Sequence, residues 1–267
     1  MSYFKIIAVD GIDCSGKEHI TKLLTQKLQQ DKDISSKYEH IERVEFPTYE
    51  CTELVDTLLD KNNQEYISEF FANEWITKTA AFIHDQCAKL LDLYIKNHKY
   101  NSCLYILDRY YMSNIWYNLF SHCYNEDPKD VLENILNIYS LPIPDVYFYI
   151  KMPEEFIKLF LSQKKNKDYN ELNLDYLIRV KQIADKVHSP KYKYEKGYQF
   201  GLEQYTINCT EKTESKLVDT DEVEFEYDVN NLSIPKFKPA LKITESLRSY
   251  SDIVNEIIDL SKDTLIS

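Results

Sequence analysis

Ten residues, GIDCSGKEHI (11–20), hold the densest chemistry in this sequence. Gly11, Gly16 and Lys17 satisfy the spacing G-x-x-x-x-G-K of a phosphate-cradling loop. A glycine-permitted turn aims successive backbone N–H groups at phosphate oxygens, and the helix that follows adds its positive end. Lys17 supplies a mobile cation for the outer phosphates. Gly11, Ile12, Asp13, Cys14, Ser15, Gly16, Lys17, Glu18 and His19 are therefore the candidate ATP contacts. The chain has only four glycines, and roughly 0.006 chance matches to the pattern follow from its composition.

The pattern normally continues with Ser or Thr, whose hydroxyl binds magnesium; this chain has Glu18. Two readings of Glu18 stand. With magnesium present a glutamate can ligate it, directly or through water. Alternatively the side chain points away along the helix, where an acid near the N-terminus is mildly favourable. The second is preferred, with Asp108 and water carrying the metal. Asp108 closes an apolar run, CLYILD, and an acid at the end of such a strand is the second magnesium anchor in phosphate-loop enzymes. Arg109, next to it, suits neutralisation of a transferring phosphoryl group. Lys17, Asp108 and Arg109 are the candidate catalytic residues.

These residues need a scaffold, and the hydrophobic pattern provides one. YFKIIAVD reads as a buried strand and EHITKLLTQKLQQ as a helix with Ile20, Leu23, Leu24 and Leu28 on one face. Further strands are expected at HIERVEF, CLYILD (103–108), DVYFYIK (145–151) and YTINC (205–209). Helical patterns fill 51–97, 110–140, the stretch from PEEFIKLFLSQ, and LDYLIRVKQIADKV; SYSDIVNEIIDLSKDTLI closes the chain as an amphipathic helix. Strands alternating with helices predict an α/β fold of the P-loop NTPase type. Its five-stranded parallel sheet is covered by helices on both faces. Ligands on such sheets gather at the carboxyl ends of the strands, where Asp10 to Lys17, Phe46 to Tyr49 and Asp108 to Tyr111 converge. The whole of 1–267 reads as one domain. It carries a polar lid at about 162–173 and an acidic insertion at about 211–245, in which Glu211 to Asp228 hold eight acids and two lysines. The alternating EVEFEYDV within it reads as an extra strand or hairpin.

Composition narrows the class. Hydrophobic residues make up 43% of the chain, enough for a real core, and the net charge of -12 argues against a nucleic-acid backbone binder. No apolar run is long enough to span a membrane, and no basic-then-apolar leader opens the chain. The six cysteines are scattered without a C-x-x-C pair, which fits free thiols in a reducing cytoplasm.

The blocks GIDCSGK, FPTY, LDRYYMSNIWYN and LPIPDVYFYIKMPEE, in this order, resemble thymidylate kinases over about residues 3 to 210. The resemblance implies transfer of the γ-phosphoryl of ATP to a deoxynucleoside monophosphate, dTMP by default, with Mg²⁺, in a cytoplasmic homodimer. Another deoxynucleotide or nucleoside as acceptor, and a nucleotide-binding pseudoenzyme, are the alternatives. The resemblance further implies that Asp13 contacts the acceptor sugar, Arg109 the acceptor phosphate, and Phe70 the base. Ser113 and Tyr117 would line the base and sugar pocket, with Phe46 and Pro47 beside them. Lys164 and Lys165, joined by Lys167, would serve the lid over ATP. The chain departs from the family pattern at Thr48 and Tyr49, where arginine often follows F-P. It departs again at Glu74 and Trp75, near the expected base-reading arginine, at Trp116 in place of a small residue, and at Asn118 in place of glutamine. Arginines number four: Arg43, Arg109, Arg179 and Arg248.

Overall fold

A continuous apolar run buried on both faces belongs in the middle of a parallel sheet, and β1 (Tyr3–Gly11) is such a strand, buried from Ile6 to its end. The computed structural model describes residues 3–53, 74–114, 116–117, 141–164, 174–189, 202–212 and 245–267. β1 pairs in parallel with β3 (Ser102–Asp108) on one side and β4 (Val146–Lys151) on the other. β2 (His40–Glu45) lies outside β3, and β5 (Glu203–Asn208) outside β4. The order β2-β3-β1-β4-β5 makes one five-stranded parallel sheet, as expected.

Parallel pairing requires crossovers, and the helices supply them. α1 (Lys17–Gln30) follows β1 and buries Ile20, Leu24 and Leu28. The short α2 (Lys32–Lys37), which the sequence reading missed, starts where the Asp31 side chain accepts from the N–H groups of Asp33 and Ile34. α3 (Glu74–Asn97) precedes β3, and a single turn, α4 (Tyr111–Asn114), follows it. α5 (Glu154–Gln163) and α6 (Leu174–Val187) stand between β4 and β5. α7 (Tyr250–Ile266) opens with Ser249 accepting from the N–H of Asp252. It lies along α1, where Lys27 Nζ donates to Ser251 Oγ at 2.8 Å and Asn255 Oδ1 at 2.7 Å.

Two strands were not foreseen. β6 (Thr210–Lys212) and β7 (Glu245–Leu247) pair antiparallel, with Lys212 opposite Glu245. The expected strand in EVEFEYDV, and the helical patterns over 54–73 and 118–140, lie outside the described residues. Beneath β4, Trp116 packs edge-on against Tyr149 and His188, and His188 stacks on Tyr147 and Tyr149. Burial lowers the His188 imidazole to about 3, so it is a neutral part of this aromatic core.

Candidate functional site

The phosphate loop leaves the carboxyl end of β1 with little steric freedom. A Cβ on Gly11 would sit 2.6 Å from Ser15 Oγ and 3.2 Å from the Ile150 carbonyl oxygen, so the loop closes over a bare backbone. Gly16 has φ 80, in the left-handed region, and its open side is filled by the Tyr250 ring. Cys14 holds φ 64 without being glycine, a conformation that concentrates at functional turns. Ser15 is fully buried, and its hydroxyl has no hydrogen-bond partner among the described residues. His19, the third residue of α1, stacks on Tyr250 with centroids 5.4 Å apart.

Inside the loop three charges are coupled. Lys17 is buried; its Nζ donates to the Ile12 carbonyl at 3.2 Å and lies 3.6 Å from Asp13 Oδ1. Arg109 reaches the same Asp13 oxygen in a close ion pair, and its guanidinium sits 5.7 Å over the Tyr117 ring. Tyr117 Oη in turn accepts from the Asp13 N–H at 2.8 Å. Burial alone would raise the Asp13 carboxyl, yet the opposing charges of Arg109 and Lys17 hold it well below the usual carboxylate range. Lys17 is lowered, first by burial and then by the Arg109 charge, with Asp13, Asp108 and Asp10 pulling back. A phosphate beside this lysine would add counter-charge against the repulsion from Arg109.

A second cluster holds Asp108. Its Oδ2 accepts from Thr21 Oγ1 at 2.9 Å and from the Arg43 guanidinium in a close ion pair. Arg43 Nε donates to Thr21 Oγ1 at 2.8 Å and its NH1 to Glu45 at 3.0 Å. Glu18 takes no part, because its half-exposed carboxylate pairs with Lys22 one turn along α1. That hydrogen bond, ahead of all else, lowers the Glu18 carboxyl.

Asp10, the last residue before Gly11, is fully buried. Its Oδ1 accepts from the Tyr110 N–H at 2.9 Å and from Ser113 Oγ; among the described residues Oδ2 has no hydrogen-bond partner of good geometry. Burial raises this carboxyl to about 6 despite the bonds from Ser113 and Tyr110 and the charge of Arg109. Ser113 is thus committed to Asp10, and Tyr117 to Asp13. Phe46 is buried against Tyr110, and its N–H donates to the Asp108 carbonyl at 2.9 Å. Pro47 lines a cleft of about 450 Å³ with Arg43, Glu45, Thr48 and Lys89. Thr48 is anchored through its N–H and hydroxyl to Asp85, while Tyr49 is 78% exposed. Lys164 is exposed at the end of α5. Phe70, Lys165, Lys167 and Asn118 lie outside the described residues.

Lys17, Asp13, Asp108 and Arg109 therefore share one site at the carboxyl ends of β1 and β3. Arg43, Thr21 and Asp10 belong with them, and motif reading passed over all three as site residues. Register held the signal for Arg43: Glu45 pairs with Asp108 and Arg43 with Ile106, so Arg43, Glu45 and Asp108 share one face of the sheet. Among the described residues no group of three or more His, Cys, Asp or Glu could cage a metal. A cation here would be held by the one Asp108 carboxylate, phosphate oxygens and water. That donor set suits Mg²⁺, which keeps several waters.

Strand, phosphate loop, helix and strand-end acid define a P-loop NTPase-type α/β protein. Residues 9–195 match the family model described as thymidylate kinase, and the chain belongs to that family of nucleoside monophosphate kinases. Among solved structures it is similar to thymidylate kinase from Candida albicans. The TM-score is 0.55 at 15% identity, over 100% of this chain and 95% of that one. Thymidylate kinase from Ehrlichia chaffeensis has TM-score 0.51 at 13% identity, over 97% and 98%. No curated protein matches the chain. At these identities the structures speak for the fold alone. Among the described residues no helix is long and apolar enough to cross a membrane.

Proposed function

We infer that this chain is an ATP-dependent kinase of deoxynucleoside monophosphates, with dTMP as the first acceptor to test. The observation that carries the reading is Arg109, which comes from the end of β3 and meets Asp13 inside the phosphate loop beside Lys17. A cation shared between two strand ends can face two phosphate groups at once. Donor phosphates would take Lys17 Nζ from the Ile12 carbonyl and add counter-charge beside it. Arg109 would hold the acceptor phosphate in line, an oxygen of which bonds to the γ-phosphorus as the bond to the β–γ bridging oxygen breaks and ADP leaves. Catalysis then rests on alignment and charge cancellation, and no covalent enzyme intermediate is needed. Asp108 would hold Mg²⁺, which when bound neutralises charge between the β- and γ-phosphates. Lys164 and Lys165 would serve a lid that excludes water. The reading includes a homodimer, checked by sedimentation, in the cytoplasm.

The test is a panel of nucleoside monophosphates and nucleosides with ATP and magnesium, read as ADP release and product mass. Turnover of dTMP above the rest supports the reading. One observation favours a different acceptor: after Phe46-Pro47 the chain offers the exposed Tyr49 instead of an arginine. Brisk turnover of another acceptor with none of dTMP would establish that alternative. ATP binding without transfer to any acceptor would mark a pseudoenzyme and overturn both.

A further inference from the structure

We propose that Arg43 is a built-in counter-cation for Asp108, so that nucleotide binding by this chain depends only weakly on magnesium. The inference rests on the kinase reading of the same site.

In a phosphate loop of the usual pattern, a Ser or Thr after the lysine and an acid at a strand end hold the metal between them. Here the hydroxyl at that position is gone, and Glu18 turns to Lys22. Thr21, one turn further on, reaches Asp108 Oδ2 at 2.9 Å. Arg43 then joins both groups, with Nε on Thr21 Oγ1 at 2.8 Å and NH2 on the same Asp108 oxygen. This pair is well shielded: the Asp108 side chain is 3% exposed and that of Arg43 16%. Arg43 is anchored from the other side by Glu45 at 3.0 Å, so the guanidinium is held in a fork of three oxygens. The geometry has two consequences. A metal ligated directly by Asp108 Oδ2 must compete with a fixed guanidinium, which leaves Oδ1 as the available oxygen. And when no metal is bound, Asp108 is already neutralised, so it does not repel an incoming phosphate. A permanent cation thus takes over part of what a divalent ion does elsewhere.

The experiment measures ADP affinity by calorimetry with magnesium and with EDTA, for the wild type and for Arg43→Gln and Arg43→Lys, each checked for fold by circular dichroism. In the wild type, removing magnesium should weaken ADP binding by no more than about tenfold. In R43Q the same ratio should grow by a further tenfold or so, because Asp108 then faces the phosphates uncompensated without metal and is free to ligate metal when it is present. R43K, which keeps the charge and loses the fork, should stay near the wild-type ratio; a merely structural tie would make R43K behave like R43Q. A wild-type loss above about a hundredfold in EDTA overturns the inference even if R43Q does not fold, and so does an unchanged ratio in R43Q. Those results leave the kinase reading standing. A wild type that binds neither ADP nor ATP sinks the kinase reading, and this inference with it.

Discussion

Arg109 and Asp13, 96 positions apart in sequence, form a close ion pair between the end of β3 and the phosphate loop. The backbone helps to aim the arginine. Arg109 has φ 67, and its N–H donates to the Val9 carbonyl at 3.0 Å, which pins the turn against β1. A left-handed arginine costs on the order of 1 kcal/mol relative to glycine. Arg109→Ala should therefore lose both the charge and the pair, with about 3 kcal/mol less stability, because a buried Asp13 loses its main partner. Arg109→Gly should be about 1 kcal/mol more stable than Arg109→Ala, since only the strain is relieved. Both should lose phosphoryl transfer by about a hundredfold or more. Equal urea midpoints for the two variants would contradict the strain argument.

Lys17 behaves differently from its neighbour. It is buried and its pKa is lowered, with burial the largest cause and Arg109 the next. The fold therefore disfavours its charge. Lys17→Met should leave the protein at least as stable as the wild type while cutting transfer by at least about a hundredfold. Its ADP affinity should fall at the same time. A strongly destabilised K17M would mean that Lys17 holds the loop together, against the reading of a phosphate-binding cation.

Glu18 invites the opposite expectation. Its carboxylate is about half exposed and engaged with Lys22, an i,i+4 pair worth about 0.5 kcal/mol or less on a helix surface. Glu18→Gln should change both stability and the magnesium dependence of ADP binding by less than about twofold. A large drop in magnesium affinity on making E18Q would reassign the carboxylate to the metal.

The difference between what the sequence revealed and what it hid follows from period and range. IIAV, LYIL and VYFYI are strands buried on both faces, so they read as unbroken apolar runs, and the helices after them carry 3.6-residue periodicity. YTINC lacked the first two residues of β5, Glu203 and Gln204, which pair with Val146 and Tyr147 in register despite their polarity. α2 has six residues and β6 and β7 three each, too short to show a period, and β6 finds its partner only across a long stretch of chain. In the site, Gly11, Gly16, Lys17 and Asp108 were legible because their chemistry follows from local spacing. Arg43 was not, because which side chain bends over the end of a sheet depends on strand register between distant segments. Asp10 was not singled out either, since nothing local distinguishes a solvated aspartate before a glycine from a fully buried one.

That burial of Asp10 has a pH signature. A free aspartate loses its proton near 3.9, whereas Asp10 in the folded protein keeps it until about 6. Between those values the folded state holds a proton that the unfolded chain has released, so stability falls as pH rises. The contribution is complete below the unfolded value and lost once pH passes the folded one. Its size is on the order of 3 kcal/mol. Asp13 has the opposite sign: its carboxyl is lowered, so its contribution is present above the unfolded value and vanishes only at lower pH. Asp10→Asn keeps an oxygen for the Tyr110 N–H and Ser113 Oγ while removing the titration. The unfolding free energy of D10N minus that of the wild type should therefore rise between pH 4 and 7, by an amount on the order of that same 3 kcal/mol. Urea denaturation of both proteins across this range checks it, and parallel curves would show that Asp10 is ionised in the fold like any surface carboxylate.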